Sequence, residues 1–155
     1  MLNLQTLQLE RASNSAPGKL WHIIGPVAPA FNSLTALTSL TMERIALDGN
    51  NAALLGRHIA SGCPALHELS LTSCGVQRGG AKALAQHLAR GCRQLEVLLL
   101  DDNQVTQKGA VALARCLSSG CHKLEELSLG NNMVHSREAV RAALLPAVPA
   151  HLWCS

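Results

Sequence analysis

The chain has 155 residues, of which 48% are apolar, 15% charged and 2% aromatic, the rings being Trp21, Phe31 and Trp153. This length fits one domain, and so few rings argue against base-stacking platforms and aromatic cages for cations. The formal net charge of +3, from 13 Lys and Arg against 10 Asp and Glu, is too slight to imply nucleic acid.

The first element, Leu4–Leu7–Leu9, follows the pattern L-x-x-L-x-L. The surrounding segment, Met1 to Arg11, carries Glu10 and lacks the long apolar run of a secretory signal. Residues 15–35 form an irregular insertion interrupted by Pro17, Pro26 and Pro29. Within it Lys19–Ile24 is expected to form a short helix, with Trp21 and Phe31 plugging the N-terminal end of the core.

Beyond the insertion the pattern returns as Leu37–Leu40–Met42, Leu66–Leu69–Leu71, Leu95–Leu98–Leu100 and Leu124–Leu127–Leu129. The starts at 37, 66, 95 and 124 are 29 residues apart, and the copy at 4 precedes them by 33. Ten residues after each start stand Leu47, Val76, Val105 and Val134, and then Ala52, Ala81, Ala110 and Ala139 open helical stretches. Leu55 and Ile59, Leu84 and Leu88, and Leu113 and Leu117 are pairs four apart, which share one helix face. Gly62, Gly91 and Gly120 close the helices and suit a left-handed C-terminal cap. Each unit therefore reads as strand, turn and amphipathic helix. No stretch approaches the ~20 apolar residues of a bilayer span. The run from Val140 is broken by Arg141, Pro146 and Pro149, and residues 146–155 read as a short tail.

The pattern resembles the leucine-rich repeat family, with its consensus L-x-x-L-x-L-x-x-(N/C)-x-L, and the 29-residue period is most similar to the ribonuclease-inhibitor-like class. The resemblance covers residues 1–145 and implies an α/β solenoid of about five repeats, with a short, curved parallel sheet on the concave side and helices on the convex side. It also implies that Cys74, Asn103 and Asn132, at the Asn/Cys position, bond the backbone of neighbouring turns. Ile45 and Ala12 occupy that position in the first two copies, which are degenerate. A single unit cannot bury enough apolar surface to fold, so neighbours must cover its open sides. Neither end shows an obvious polar cap. The array is therefore read either as a fragment or isoform of a larger repeat protein, or as one whose ends are covered by further repeats, a partner or a second copy.

Cys63, Cys92 and Cys121 also lie 29 apart, one structural position repeated, which packing explains better than disulfide pairing. Reduced, buried thiols fit a cytoplasmic protein. Cys116, Cys121 and His122 have loose metal-like spacing without an evident fourth ligand, so no metal site is expected. His58 and His87 occupy equivalent helix positions and read as helix-surface residues. Asp101–Asp102–Asn103 lacks the glycine and closing glutamate of a calcium loop. No phosphate loop, nucleophile elbow or paired-carboxylate motif is present, so neither an enzyme nor a cofactor is expected.

In strands of this kind the x positions alternate with the core leucines and point away from them. The windows 4–11, 37–44, 66–73, 95–102 and 124–131 hold eight acidic residues against Arg11 and Arg44, a net of −6. Everything outside holds eleven basic residues against Asp48 and Glu138, a net of +9. An acidic concave face would steer basic partners. Val97 and Leu99 stand at its centre, apolar residues among polar ones, as in a binding hot spot. Glu68, Ser70, Val97, Leu99, Asp101, Glu126 and Ser128 form the expected contact set. The expected function is a non-enzymatic module binding a basic protein partner. The alternative is an enzyme regulator, such as a GTPase activator or inhibitor-type protein, for which Arg11 and Arg44 are the candidate arginines. Arg57, Lys82, Arg90, Arg93, Arg115 and Arg141 read as a solvated convex face, so nucleic acid and membrane are not expected partners.

Overall fold

The computed structural model describes residues 3–11 and 24–144. Five strands, β1 (Thr6–Glu10), β2 (Ser39–Glu43), β3 (Glu68–Thr72), β4 (Val97–Leu99) and β5 (Glu126–Ser128), lie in chain order in one parallel sheet. The helices are α1 (Ile24–Val27), which runs into a 3-10 turn at Ala28–Ser33, α2 (Gly49–Gly62), α3 (Gln77–Gly91), α4 (Gln107–Ser118) and α5 (Arg137–Leu144). This is the expected α/β repeat solenoid.

The repeat sets the register. Leu7, Leu40, Leu69, Leu98 and Leu127 pair side by side across all five strands. Leu40, Leu69 and Leu98 are completely buried, and the helix pairs Leu55 and Ile59, Leu84 and Leu88, and Leu113 and Leu117 join them in one aliphatic core. The 33-residue first step falls between β1 and β2, where the described residues hold the short α1 and the 3-10 turn. Pro29 sits in the first turn of the 3-10 segment, where its missing N–H costs nothing. Phe31 plugs the core as expected and is fully buried. Trp21, and all of the expected Lys19–Ile24 helix except Ile24, lie outside the described residues.

One expectation is corrected. Among the described glycines only Gly75 has positive φ, so Gly62, Gly91 and Gly120 are not left-handed caps. Their role is close approach: a Cβ at Gly62 would overlap the Phe31 carbonyl oxygen, one at Gly91 that of Ala60, and one at Gly120 that of Ala89. Each helix end is thus pressed onto the backbone of the preceding repeat. Among the described non-glycine residues, left-handed backbone falls at Arg44, Ser73, Asp102 and Asn131, one equivalent position after each of β2 to β5, and at Gln77 and Gln104, with φ between 52° and 58°.

The Asn/Cys position forms the ladder implied by the family resemblance. The Asn103 Oδ1 accepts from the N–H groups of Cys74 and Val76, both at 3.1 Å, and its Nδ2 donates to the carbonyls of Leu71 at 2.6 Å and Asp101 at 2.9 Å. Asn132 repeats this on Asn103 and Val105, and on Leu100 and Gly130. The Cys74 thiol donates to the carbonyls of Met42 and Thr72, each at 3.3 Å, but gives the turn before it no side-chain oxygen. There the Leu47 N–H bonds the Cys74 carbonyl instead, at 2.5 Å. An open hollow of about 290 Å³, lined by Ala46, Leu47, Asp48, Cys74, Gly75 and Gln77, lies at this weaker seam.

Candidate functional site

The sheet face opposite the helices is built from the residues alternating with the core leucines. Register arranges them in rows across the strands. One row runs Thr6, Ser39, Glu68, Val97, Glu126, and the next Gln8, Thr41, Ser70, Leu99, Ser128. A third starts at Glu10 and Glu43 and continues to Thr72. Asp101 extends it, its carbonyl accepting from the Ser73 N–H at 2.9 Å. The fold therefore places six of the seven expected contact residues in two adjacent rows, with Asp101 at their margin.

Burial differentiates them. Glu68, Val97, Leu99, Asp101 and Glu126 are half-buried. Ser70 and Ser128 retain only 6% and 7% exposure, less than their outward register implies. Small side chains are overshadowed by larger neighbours, and both hydroxyls turn along the face. That of Ser70 lies 3.3 Å from the Thr72 hydroxyl, and that of Ser128 donates to the Asp101 carboxylate at 2.6 Å. Asp101 also accepts from the Gly130 N–H at 2.6 Å, so it pins the turn after β5 as well as charging the face. Glu68 accepts from the Ser39 hydroxyl at 3.2 Å. Glu43 pairs at 2.8 Å with Arg44, whose side chain is 68% exposed.

Sequence reasoning left Glu96 and Glu125 out of the contact set. Both lie at the entrance to the strands, joined by a hydrogen bond from the Glu125 N–H to the Glu96 carbonyl at 2.7 Å. Their charge was legible in the windows, but their place beside each other on neighbouring repeats needed the structure. The windows of β3, β4 and β5 together carry Glu68, Glu96, Asp101, Asp102, Glu125 and Glu126 and no Lys or Arg. Such a face can hold an apolar side chain over Val97 and Leu99 with cations around it.

The cysteines are packing groups. Among the described residues, Cys63, Cys74, Cys92, Cys116 and Cys121 are free thiols, and all but Cys116 are buried. The Cys63 thiol faces the Phe31 carbonyl at 3.5 Å and that of Cys121 the Cys92 carbonyl at 3.7 Å. Burial pushes Cys63 and Cys74 up to about 11, and Cys92 and Cys121 up to about 12. Cys116 opens into a hollow of about 360 Å³ between α3 and α4, with Arg90, Arg93 and Ser119. His58 Nδ1 lies 3.1 Å from the Asn32 Oδ1. His87 is held below its ordinary pKa by burial first and by the charges of Arg90 and Arg57 second. Among the described residues no three His, Cys, Asp or Glu side chains gather as a metal site, and no helix is long and apolar enough to cross a membrane.

A family model described as a leucine-rich repeat matches residues 62–85 and 91–114, two adjacent units of the array. No curated protein matches significantly. Leucine-rich repeat domains generally mediate protein–protein interaction, and their fold is typically a non-enzymatic binding scaffold. The two matched units share their strand register with the units on either side, and the match and the geometry together support a leucine-rich repeat family.

Proposed function

We propose that the protein is a binding scaffold that captures a basic protein partner on the open, concave face of its sheet. The observation that carries this is the register: Glu68, Val97 and Glu126 stand side by side on neighbouring strands, with Leu99 in the next row between Ser70 and Ser128. An apolar centre in a charged surround is the usual anatomy of a hot spot. Asp101 contributes charge while holding the turn after β5. On this reading residues 1–145 act as one domain with 146–155 as a tail, and the free thiols favour the cytoplasm.

The test is capture of binding proteins by the wild type and by the double variant Val97→Asp, Leu99→Asp, with far-UV circular dichroism as a folding control. A concave-face partner is lost from the variant. Capture that survives both substitutions in a folded protein rejects the proposal. The enzyme-regulator reading has less support, because Arg44, one of its two candidate arginines, is already paired with Glu43. Stimulation of GTP hydrolysis by the wild type and not by Arg44→Ala would favour it.

A further inference from the structure

The geometry of the same face restricts what form the partner takes. We infer that the contacting segment is a cationic amphipathic α-helix lying across the strands, with Lys or Arg at i and i+7 and apolar residues at i+3 and i+4. This rests on the concave-face reading above.

The argument begins with spacing. Neighbouring strands are about 4.8 Å apart, so Glu68 and Val97 are separated by one such step and Glu68 and Glu126 by two, about 9.6 Å. A helix rises ~1.5 Å per residue, which puts i+3 at about 4.5 Å, i+4 at about 6 Å and i+7 at about 10.5 Å, all on one face. An extended segment presents every second side chain, about 6.6 Å and then 13 Å along, and falls out of step with the row. The helical period therefore sets one basic residue at Glu68, the apolar pair over Val97 and Leu99, and the second basic residue at Glu126.

Relief and charge agree with that placement. Leu99 is flanked in its row by Ser70 and Ser128, small side chains that are 6% and 7% exposed. They put no charge beside Leu99, whereas Glu68 and Glu126 flank Val97. Glu96 at one margin and Asp101 at the other extend the negative field beyond both ends of the apolar pair. Six acidic residues and no Lys or Arg in the three windows make that field one-signed.

Two labelled peptides test this by fluorescence anisotropy against the whole protein. One is an alanine-based, lactam-stabilised helix with Arg at i and i+7 and Leu at i+3 and i+4. The other has the same number of Arg and Leu residues, is held extended by proline, and carries Arg, Leu and Arg at alternate positions. The helix is expected to bind, more weakly as salt is raised, and at least about fivefold more tightly than the extended peptide. Changing one of its arginines to glutamate should cost about five- to tenfold. Glu68→Arg or Glu126→Arg, according to the direction in which the helix crosses, should restore the loss. Equal or tighter binding of the extended peptide, binding of neither peptide, or failure of both charge swaps to restore affinity overturns the inference. If a natural partner still depends on Val97 and Leu99 in that case, the scaffold reading stands and only the helix is lost.

Discussion

Replacing Asn103 with alanine removes the side chain that closes two turns at once. Asn103 is fully buried, and its amide makes four hydrogen bonds: two accepted from N–H groups and two donated to carbonyls. Alanine leaves the Cys74 and Val76 N–H groups and two carbonyl oxygens without those partners. A buried polar group stripped of its partner costs about 1–3 kcal/mol. Carbonyl oxygens keep a second lone pair and the turn can relax, so the total expected is about 3–5 kcal/mol. With a urea slope of about 2 kcal/mol per molar, the unfolding midpoint falls by about 2 M. Asn132→Ala provides the comparison, because Asn132 is only half-buried and water can replace part of its bonding. Its expected cost is about 1–2 kcal/mol. Asn103→Cys should fall between, since a thiol can donate to the carbonyls as Cys74 does but offers the N–H groups no comparable acceptor. Urea unfolding followed by circular dichroism measures all three. A cost below about 1 kcal/mol for Asn103→Ala, or one no larger than for Asn132→Ala, would refute the reasoning.

Further outcomes follow from the same packing. Gly91→Ala should destabilise by about 2–3 kcal/mol, although alanine is the better helix former, because its Cβ meets the Ala60 backbone. Gly79→Ala, with nothing within 4 Å, should instead stabilise by about 0.5–1 kcal/mol, so opposite shifts in melting temperature are expected. Arg44→Asn should stabilise by about 0.5–1 kcal/mol, since asparagine tolerates the left-handed φ of 56° and the exposed pair with Glu43 contributes little. In a Cys154→Ser background at pH 8, Ellman's reagent should titrate Cys116 rapidly and the four buried thiols only on unfolding. Those thiols have folded pKa values of about 11 to 12, above the ordinary 9.0. Their stabilising effect is therefore complete below pH 9.0 and is lost as the pH rises towards 12, which alkaline unfolding curves would show.

The repeat was legible in the sequence because one spacing governs strand and helix together. Leu40, Leu69 and Leu98 fall into register as soon as the 29-residue step is recognised, and the helix pairs follow. The role of Gly62, Gly91 and Gly120 was not legible. A glycine needed for a left-handed φ and one needed for close approach look alike until the neighbouring backbone is in place. Phe31 was placed correctly because a large ring in an aliphatic chain has few other destinations. Alternation located the open face, but it could not show that Ser70 and Ser128 sink between larger neighbours. Nor could it show that one Asp101 carboxylate oxygen serves both the face and the following turn. Both depend on side-chain size and direction across strands, which a linear pattern does not encode.

The amide ladder has a direction. Asn103 completes the turn of the repeat before its own, and Asn132 does the same for the turn that holds Asn103. Both of these turns are therefore finished by residues that leave the ribosome about one period later. During synthesis each of them is provisional, its N–H groups remaining with water until its asparagine arrives. In this stretch native structure must trail translation by one repeat. A chain halted within the fourth repeat, before Asn103, would hold a third whose leucines can already pack but whose turn is still unlatched.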